Sequence, residues 1–232
     1  MTLQSGTKGI RAGLEHHWKF LRTYIQKPHS VGAVAPSSRA LAIAVSEPFR
    51  HSPRPARVLE VGAGTGAITR YLGTILTDKD RLDICEPQLE FADIIERDVL
   101  NVPSFRRALA DGRVQMLRRP VQQIDGEGVY DFVISGLPMS AFQLAEVEQI
   151  YTVIRRLLKP GGVFSYFEYT WLRRTSRLLA MGRTRVRIRA VNAYLTRNIR
   201  EHEFARRSVI GNIPPAHIRH LRFDRNTNGN GR

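Results

Sequence analysis

The stretch Arg57-Val58-Leu59-Glu60-Val61-Gly62-Ala63-Gly64-Thr65-Gly66-Ala67 decides the fold of this chain. A run of β-branched and leucine residues enters three glycines at alternate positions, and apolar residues with helical spacing follow at 68, 71, 72 and 75. The pattern predicts a strand, a tight loop and a helix. Residues without Cβ let the backbone approach a ligand closely, so the loop predicts a nucleotide-like cofactor without saying which one. A purely structural turn is the alternative.

The rest of the chain alternates predicted strands with predicted helices. Further strands are expected at 82–85, 114–117, 132–134 and 163–167, with helices through 91–99 and 147–157. Strands separated by helices imply right-handed crossovers, and therefore an α/β fold with a doubly wound, Rossmann-like parallel sheet. Residues 207–213 and 216–223 flank Pro214-Pro215 and predict a terminal antiparallel hairpin.

The composition narrows the possible partners. The chain has 232 residues, 42% of them hydrophobic, which suits one domain with its own core. Its net charge of +15 favours a polyanionic partner, either nucleic acid or an anionic membrane. The single cysteine, Cys85, excludes an internal disulfide and a cysteine-based metal site, and it indicates a reducing compartment. No signal peptide or spanning segment is predicted, so any membrane contact is peripheral.

Two regions fall outside the α/β pattern. Residues 14–27 predict an amphipathic helix, and a second helix follows and ends before Pro48. We assign the first helix to membrane contact, with Trp18 and Phe20 entering the acyl boundary and Arg22 meeting anionic head groups. Packing of its apolar side on the body of the protein is the alternative. Residues 172–207 contain eleven arginines and two glutamates, a net charge of +9. Residues 226–232 are rich in Asn and Gly and predict a disordered tail.

The glycine loop resembles a family signature. Residues 60–66 are similar to the first motif of class I S-adenosylmethionine-dependent methyltransferases, and residues 158–162 resemble the turn before that family's fifth strand. The resemblance covers residues 57–169 and implies S-adenosylmethionine as cofactor and S-adenosylhomocysteine as product. It implies that Glu60 helps to hold the methionine moiety. It assigns to cofactor binding the loop residues Gly62, Gly64, Thr65 and Gly66.

Two positions concern the nucleoside part of the cofactor. Glu86, at the end of the second predicted strand, resembles the family's acid that binds the ribose hydroxyls, and Pro87 follows it. After the third strand many family members carry an Asp near the adenine, whereas Arg118-Arg119-Pro120-Val121 stands here. We therefore assign Val121 to the wall of the adenine site and assign no residue to the adenine amine.

Further stretches resemble the bacterial phospholipid N-methyltransferases. Residues 20–28 and 31–38 resemble their amino-terminal signature, in which an amphipathic helix leads into a loop over the cofactor, here with Val34 and Ser37. Ser135-Gly136-Leu137-Pro138 resembles their motif after the fourth strand, and residues 212–216 resemble their hairpin turn. Members methylate the amine of phosphatidylethanolamine, and relatives methylate ornithine lipids. The resemblance divides the chain into a helical cap, 1–50, and a methyltransferase domain, 51–232, with an arginine-rich insertion at about 171–206.

Two alternatives remain open. That family is similar to ribosomal RNA adenine dimethyltransferases, which use an Asn-Leu-Pro-aromatic motif to hold and stack a flipped adenine. Here Ser135 replaces the Asn and Met139 replaces the ring, so the base would lose stacking of about 1–3 kcal/mol. Nucleic acid is therefore a less favoured substrate than an aliphatic amine. The second alternative is a non-catalytic, basic, cofactor-binding module.

The predicted acceptor site follows from these motifs. Carbonyls from Ser135 to Leu137 would accept from the amine, with Tyr24 and Tyr169 as walls, although ordinary core packing explains both tyrosines equally well. Glu168 and Arg187 are assigned to the lipid head group, and for any single arginine a solvated surface is the alternative. No metal is expected. The protein is expected at the cytoplasmic face of the membrane, on anionic lipid, with its aminolipid and its oligomeric state open.

Overall fold

A computed structural model describes residues 39–169, 182–210 and 215–223. Seven strands form one sheet in the order β3-β2-β1-β4-β5-β7-β6. The strands are β1 Arg57–Val61, β2 Arg81–Cys85, β3 Val114–Leu117, β4 Tyr130–Ser135, β5 Leu158–Tyr169, β6 Glu203–Val209 and β7 Ala216–Arg222. The helices are α1 Arg39–Val45, α2 Glu47–Arg50, α3 Ala67–Ile75, α4 Leu89–Ile94 with a π-helical continuation Ile95–Leu100, α5 Pro103–Ala110, α6 Leu144–Leu157 and α7 Gly182–His202.

The sheet is parallel from β3 to β5 and antiparallel where β7 joins β5 and β6 joins β7. The strand order reverses beside β1, because the chain proceeds outward from β1 to β3 and then returns to place β4 on the other side of β1. Ligands of doubly wound folds bind in the crevice beyond the carboxyl ends of the strands at such a reversal. The predicted fold class is confirmed, and the crevice lies next to the glycine loop.

Alternating residues of each strand fill two separate cores. Val58 faces the core shared with α1, α3, α4 and α5, whereas Leu59 and Val61 face the core shared with α6 and α7. Side chains of a strand alternate between the two faces of its sheet, so a strand covered on both faces needs apolar residues at successive positions, as at Val58 and Leu59. The second core also contains an aromatic cluster in which the ring of Tyr151 lies 5.5 Å from that of Phe164.

The boundaries differ from the predictions at three places. Residues 158–162, predicted as a turn before β5, belong to β5, and the register with β4 shifts between Tyr130 and Phe132. The hairpin begins at Glu203, earlier than residue 207, and residues 211–214 of its predicted turn lie outside the described residues. The arginine-rich segment contains the long helix α7, which Arg155 of α6 holds by donating to Asn198 Oδ1 at 2.6 Å.

The predicted helix at 14–27 and the predicted tail at 226–232 lie outside the described residues. In the ranges that the structure does describe, no helix combines the length and the apolar composition needed to cross a bilayer.

Candidate cofactor and acceptor site

The glycine loop between β1 and α3 turns in the left-handed region. Gly62, Gly64 and Gly66 have φ of 69°, 58° and 78°. A Cβ on Gly62 would lie 2.4 Å from Leu137 Cδ2, and one on Gly136 would lie 2.5 Å from the Gly62 carbonyl oxygen. The two glycines therefore allow the loops after β1 and β4 to touch. A Cβ on Gly64 would meet nothing within 4 Å, so this glycine faces open space where a ligand has room.

Glu86 follows β2 and points its carboxylate at the glycine loop. It is 1% exposed; Oε2 accepts from the Gly64 N–H at 2.8 Å, and Oε1 accepts from the Gln88 N–H at 3.0 Å. Each carboxylate oxygen has a further lone pair, so two neighbouring ribose hydroxyls could donate to the pair of oxygens. Burial raises the pKa of Glu86 to about 7.

Glu60 is a second buried carboxyl, two residues before the loop. Its Oε2 accepts from the Thr69 hydroxyl at 2.7 Å, whereas its Oε1 has no hydrogen-bond partner among the described residues. Burial raises the pKa of Glu60 to about 7. An unpaired buried carboxylate oxygen is costly unless a donor or cation reaches it. The group thus fits a cationic ammonium such as that of a methionine moiety.

A small cleft opens on the α6 side of the loop. Val121 is 2% exposed and lies in its wall together with Pro87. Burial raises the pKa of the Cys85 thiol, which donates to the Arg119 carbonyl at 3.0 Å and therefore stays neutral. The cleft is lined by Val61, Gly62, Cys85, Pro87, Pro120, Val121, Gln122, Leu137, Phe142 and Ile150. Mostly apolar walls are usual at small-molecule sites, and Val121, assigned to the adenine wall, lies in this one.

The predicted acceptor motif crosses the carboxyl end of β1. Ser135 pairs in register with Val61, and Gly136 N–H donates to the Val61 carbonyl at 2.8 Å. The buried Ser135 Oγ accepts from the Leu137 N–H at 3.1 Å, which fixes the turn after β4. The main chain of this motif is thereby held beside the glycine loop.

The structure does not bring the other predicted acceptor residues to this motif. Ser135 pairs with Tyr166, so the alternation of β5 puts Tyr169 on the opposite face, where it packs with Leu41 and Ala216. Core packing therefore accounts for Tyr169, which corrects its assignment as a wall beside Ser135.

The two predicted head-group residues have partners inside the protein. Glu168 is paired with Arg219, whose Nε donates to Glu168 Oε2 at 3.0 Å, and both side chains are about nine-tenths buried. Arg187 donates from Nη1 to the carbonyls of residues 140, 141 and 142 at 3.2, 3.2 and 2.8 Å. We therefore no longer assign either residue to the head group.

Six predicted residues lie outside the described ranges: Trp18, Phe20, Arg22, Tyr24, Val34 and Ser37. Within the described ranges, no group of three or more His, Cys, Asp or Glu side chains is arranged to hold a metal ion. Sequence reasoning missed Phe142 and Ile150 of the cleft and the contact of Arg187, because these positions carry no motif and reach the site only through the packing of α6 and α7.

The chain is similar to known methyltransferases. Residues 58–162 match a family model described as a methyltransferase domain. The ornithine lipid N-methyltransferase of Singulisphaera acidiphila is 30% identical over 156 residues, which cover 66% of this chain and 78% of that protein.

Two solved structures have a similar fold. One is the Burkholderia thailandensis 1,6-didemethyltoxoflavin-N1-methyltransferase with S-adenosylhomocysteine bound, which has a TM-score of 0.58, 17% identity, and coverage of 97% of this chain and 93% of that one. The other is a Bacillus cereus O-methyltransferase, also with S-adenosylhomocysteine, which has a TM-score of 0.58, 16% identity and 91% coverage of each chain.

The fold, the glycine loop and the matching domain define a class I methyltransferase that uses S-adenosylmethionine. The resemblance implies that Glu86 binds the ribose hydroxyls and that Glu60 helps to hold the methionine moiety, and Glu60 Oε1, unpaired among the described residues, leaves room for that role. Within that class, the chain belongs to the family of bacterial phospholipid and ornithine lipid N-methyltransferases.

Cofactor binding is expected to release protons near neutral pH. Burial raises the pKa of Glu60 and of Glu86 to about 7, so both are partly protonated at pH 6.5 before the ligand binds. Hydroxyl donors and an ammonium favour the ionised carboxylates and lower both pKa values. Calorimetric titration with S-adenosylhomocysteine in two buffers of different ionisation enthalpy should therefore show proton release at pH 6.5 that disappears by about pH 8.5. Heats independent of the buffer at pH 6.5 would contradict the assignment, and Glu86→Gln should reduce the number of protons released.

Proposed function

We propose that the protein transfers methyl groups from S-adenosylmethionine to the amine of a membrane aminolipid, either ornithine lipid or phosphatidylethanolamine, by successive methylations. The observation that carries the proposal is the similarity to an ornithine lipid N-methyltransferase along two thirds of the chain. We place the reaction on the cytoplasmic face of the membrane, where the protein binds anionic lipid peripherally.

The reaction requires mainly that the protein hold the two reactants in the correct relative position. The cofactor supplies an electrophilic methyl group on a sulfonium. The neutral amine forms the new N–C bond as the C–S bond breaks, S-adenosylhomocysteine leaves, and the nitrogen loses a proton to solvent. Main-chain carbonyls at Ser135–Leu137, held by the contacts with Val61, would accept N–H groups and orient the nitrogen. Holding two reactants in line can contribute about 7–11 kcal/mol, so no nucleophilic side chain is required.

The acceptor loop favours an aliphatic amine over an RNA base. Met139, which replaces the aromatic ring of the RNA enzymes, is 2% exposed and packs with Phe142 in the core beside α6. A buried methionine offers no exposed ring on which a flipped base could stack. A primary or secondary amine needs no stacking ring, only hydrogen-bond acceptors, and the main-chain carbonyls of the acceptor motif would serve as these.

An exposed basic face supports action at a membrane. The buried side of α7 carries Val191 and Leu195, and the opposite side exposes Arg185, Arg189, Arg197 and Arg200. Val186 is 68% exposed beside these cations, and Ile210, after β6, is 80% exposed. Each cation near an anionic surface contributes about 1 kcal/mol, and exposed apolar side chains can enter the lipid boundary. The start of α7 contacts the loop after β4, so the helix that carries this face begins beside the proposed acceptor site.

Methyl transfer to lipid is the direct test. The protein is incubated with methyl-labelled S-adenosylmethionine, mixed vesicles that contain both aminolipids, and ribosomal RNA, and the products are separated. We expect label in the head group of one aminolipid, in mono- and dimethylated products. Label in RNA and in neither lipid would overturn the proposal, and the absence of any transfer with intact cofactor binding would favour the non-catalytic alternative.

A pair of charge reversals tests the membrane-surface part of the proposal. Arg185→Glu with Arg189→Glu should weaken binding to anionic vesicles at least about tenfold, because two cations near the surface become anions. Lys79→Glu with Arg81→Glu is the matched control. It changes the charge by the same amount at exposed positions where β2 begins, which is the end of the strands opposite the crevice. Equal effects of the two pairs would refute a specific role for α7.

A further inference from the structure

Arg187 lies on α7 and binds the loop that follows the acceptor motif. Its Nη1 donates to three consecutive carbonyls, at 3.2 Å for Ser140, 3.2 Å for Ala141 and 2.8 Å for Phe142. These carbonyls close the short 3-10 helix Met139–Ala141. The carbonyls at a helix end lack partners within the helix, and the side chain of a nearby arginine can donate to them. The guanidinium thus holds the end of this turn.

The clamped loop forms part of the cofactor cleft and continues from the acceptor motif. Leu137 and Phe142, at the two ends of the loop, both line the cleft and are 4% and 2% exposed. Leu137 also fills the space above Gly62. A displacement of the loop would therefore move the cleft wall and the main chain of Ser135–Leu137 together.

The environment of Arg187 suits a permanent structural contact. Its side chain is part-buried in these three hydrogen bonds, and burial lowers its pKa while the nearby Glu146 raises it. An arginine keeps its charge under such conditions, and bonds from a charged donor are about twice as strong as neutral ones.

We propose that Arg187 is a positioning residue for methyl transfer: through the carbonyls of residues 140–142 it fixes the loop that carries the acceptor main chain and closes the cofactor cleft. The part of this inference that concerns the acceptor rests on the proposed function. The residue acts through the loop and does not touch the reacting atoms. A misplacement of about 1 Å can reduce the rate about 100-fold, which is the size of effect that such a clamp can prevent.

Three variants test the inference. Arg187→Met removes the donors and keeps the apolar stem, and it should lower kcat about 10- to 100-fold with a smaller change in the Kd of S-adenosylhomocysteine, because Glu86 and the glycine loop still bind the cofactor. Arg187→Lys retains a charged donor and should recover part of kcat. Arg155→Met is the matched control, because it removes the contacts of Arg155 with Asn198 and with the Phe223 ring at the far end of α7. It should lower the thermal stability and leave kcat within about twofold of wild type.

The loop itself can be observed independently of the acceptor. Selective 13C labelling of methionine methyl groups gives four signals, of which Met139 reports the clamped loop and Met116 in β3 serves as internal reference. With S-adenosylhomocysteine bound, we expect one sharp Met139 signal in the wild type and in Arg155→Met, and a broadened or multiple signal in Arg187→Met. An unchanged Met139 signal and unchanged kcat in Arg187→Met would overturn the inference, as would an equal loss in Arg155→Met. If the wild type does not methylate lipid, the proposed function fails, and the Met139 signal still decides whether Arg187 orders the loop.

Discussion

Replacement of Glu86 by Ala is expected to weaken the binding of S-adenosylhomocysteine by at least about 100-fold, because a hydrogen bond to a charged group contributes about 1.5–3 kcal/mol and two ribose hydroxyls lose their acceptor. Two main-chain groups also lose their acceptor in this variant: the N–H of Gly64 in the glycine loop and the N–H of Gln88 just before α4. Their loss disturbs the loop and weakens binding further. Calorimetric titration at pH 8, where the carboxyl is ionised, measures the change.

The matched control is Asp83, another buried carboxyl, which lies on β2 three residues before Glu86. Asp83 lies in the middle of β2, where it accepts from Arg57 Nη2 at 2.8 Å and from the Tyr130 hydroxyl at 2.7 Å and not from the glycine loop. Asp83→Asn should lower the melting temperature and leave the affinity for S-adenosylhomocysteine unchanged. Unchanged affinity in Glu86→Ala would remove Glu86 from the cofactor site.

Alanine substitutions at two glycines of the loop are expected to have different effects. The substitution at Gly62 should mainly lower stability, and the one at Gly64 should mainly weaken cofactor binding. Both Gly62 and Gly64 have positive φ, so alanine at either position carries strain of about 1–2 kcal/mol. Gly62→Ala additionally places its Cβ 2.4 Å from Leu137 Cδ2 in a buried contact, whereas Gly64→Ala meets only open space. We therefore expect Gly62→Ala to be destabilised by several kcal/mol in total, about the cost of overpacking added to strain. Gly64→Ala should fold with a modest loss of stability and bind the cofactor poorly.

Thermal unfolding and cofactor titration of the two variants measure this separation. The double variant Gly62→Ala with Leu137→Ala provides an internal check, because shortening Leu137 removes the clash and should recover part of the stability lost in Gly62→Ala. Equal melting temperatures for Gly62→Ala and Gly64→Ala would contradict the close approach of the two loops, and full cofactor affinity in Gly64→Ala would show that the open space is not the ligand site.

The sequence was most informative where the determinants are local. The strand, the glycine loop and the acid at the end of β2 lie within residues 57–86, and their spacing alone predicts a nucleotide-like cofactor. The alternation of strands and helices predicts the sheet, because each crossover needs its own helix. Boundaries were less accurate: the glycines of residues 158–162 suggested a turn, whereas β5 absorbs them with a register shift.

The acceptor side was harder to predict because it depends on the register of distant strands. The pairing of Ser135 with Tyr166 decides that Tyr169 faces away from the acceptor motif. The antiparallel pairing of β5 with β7 likewise brings Arg219 beside Glu168. The position of Arg187 depends on how α7 packs, and alternation of arginines along residues 183–189 gave no sign that one of them faces inward.

Two arginines on the edge strand β6 have a second effect, on the association of one molecule with another. Among the described strands β6 is paired with β7 alone, so its other edge carries backbone groups that a strand of another molecule could extend. Arg206 is exposed on this strand, and Arg207 is exposed and paired with Glu47 of α2. Cations on a sheet edge oppose the approach of an identical edge, because like charges would be brought together. The excess of positive charge, which predicts a polyanionic partner, would therefore also oppose self-association of the sheet at this edge.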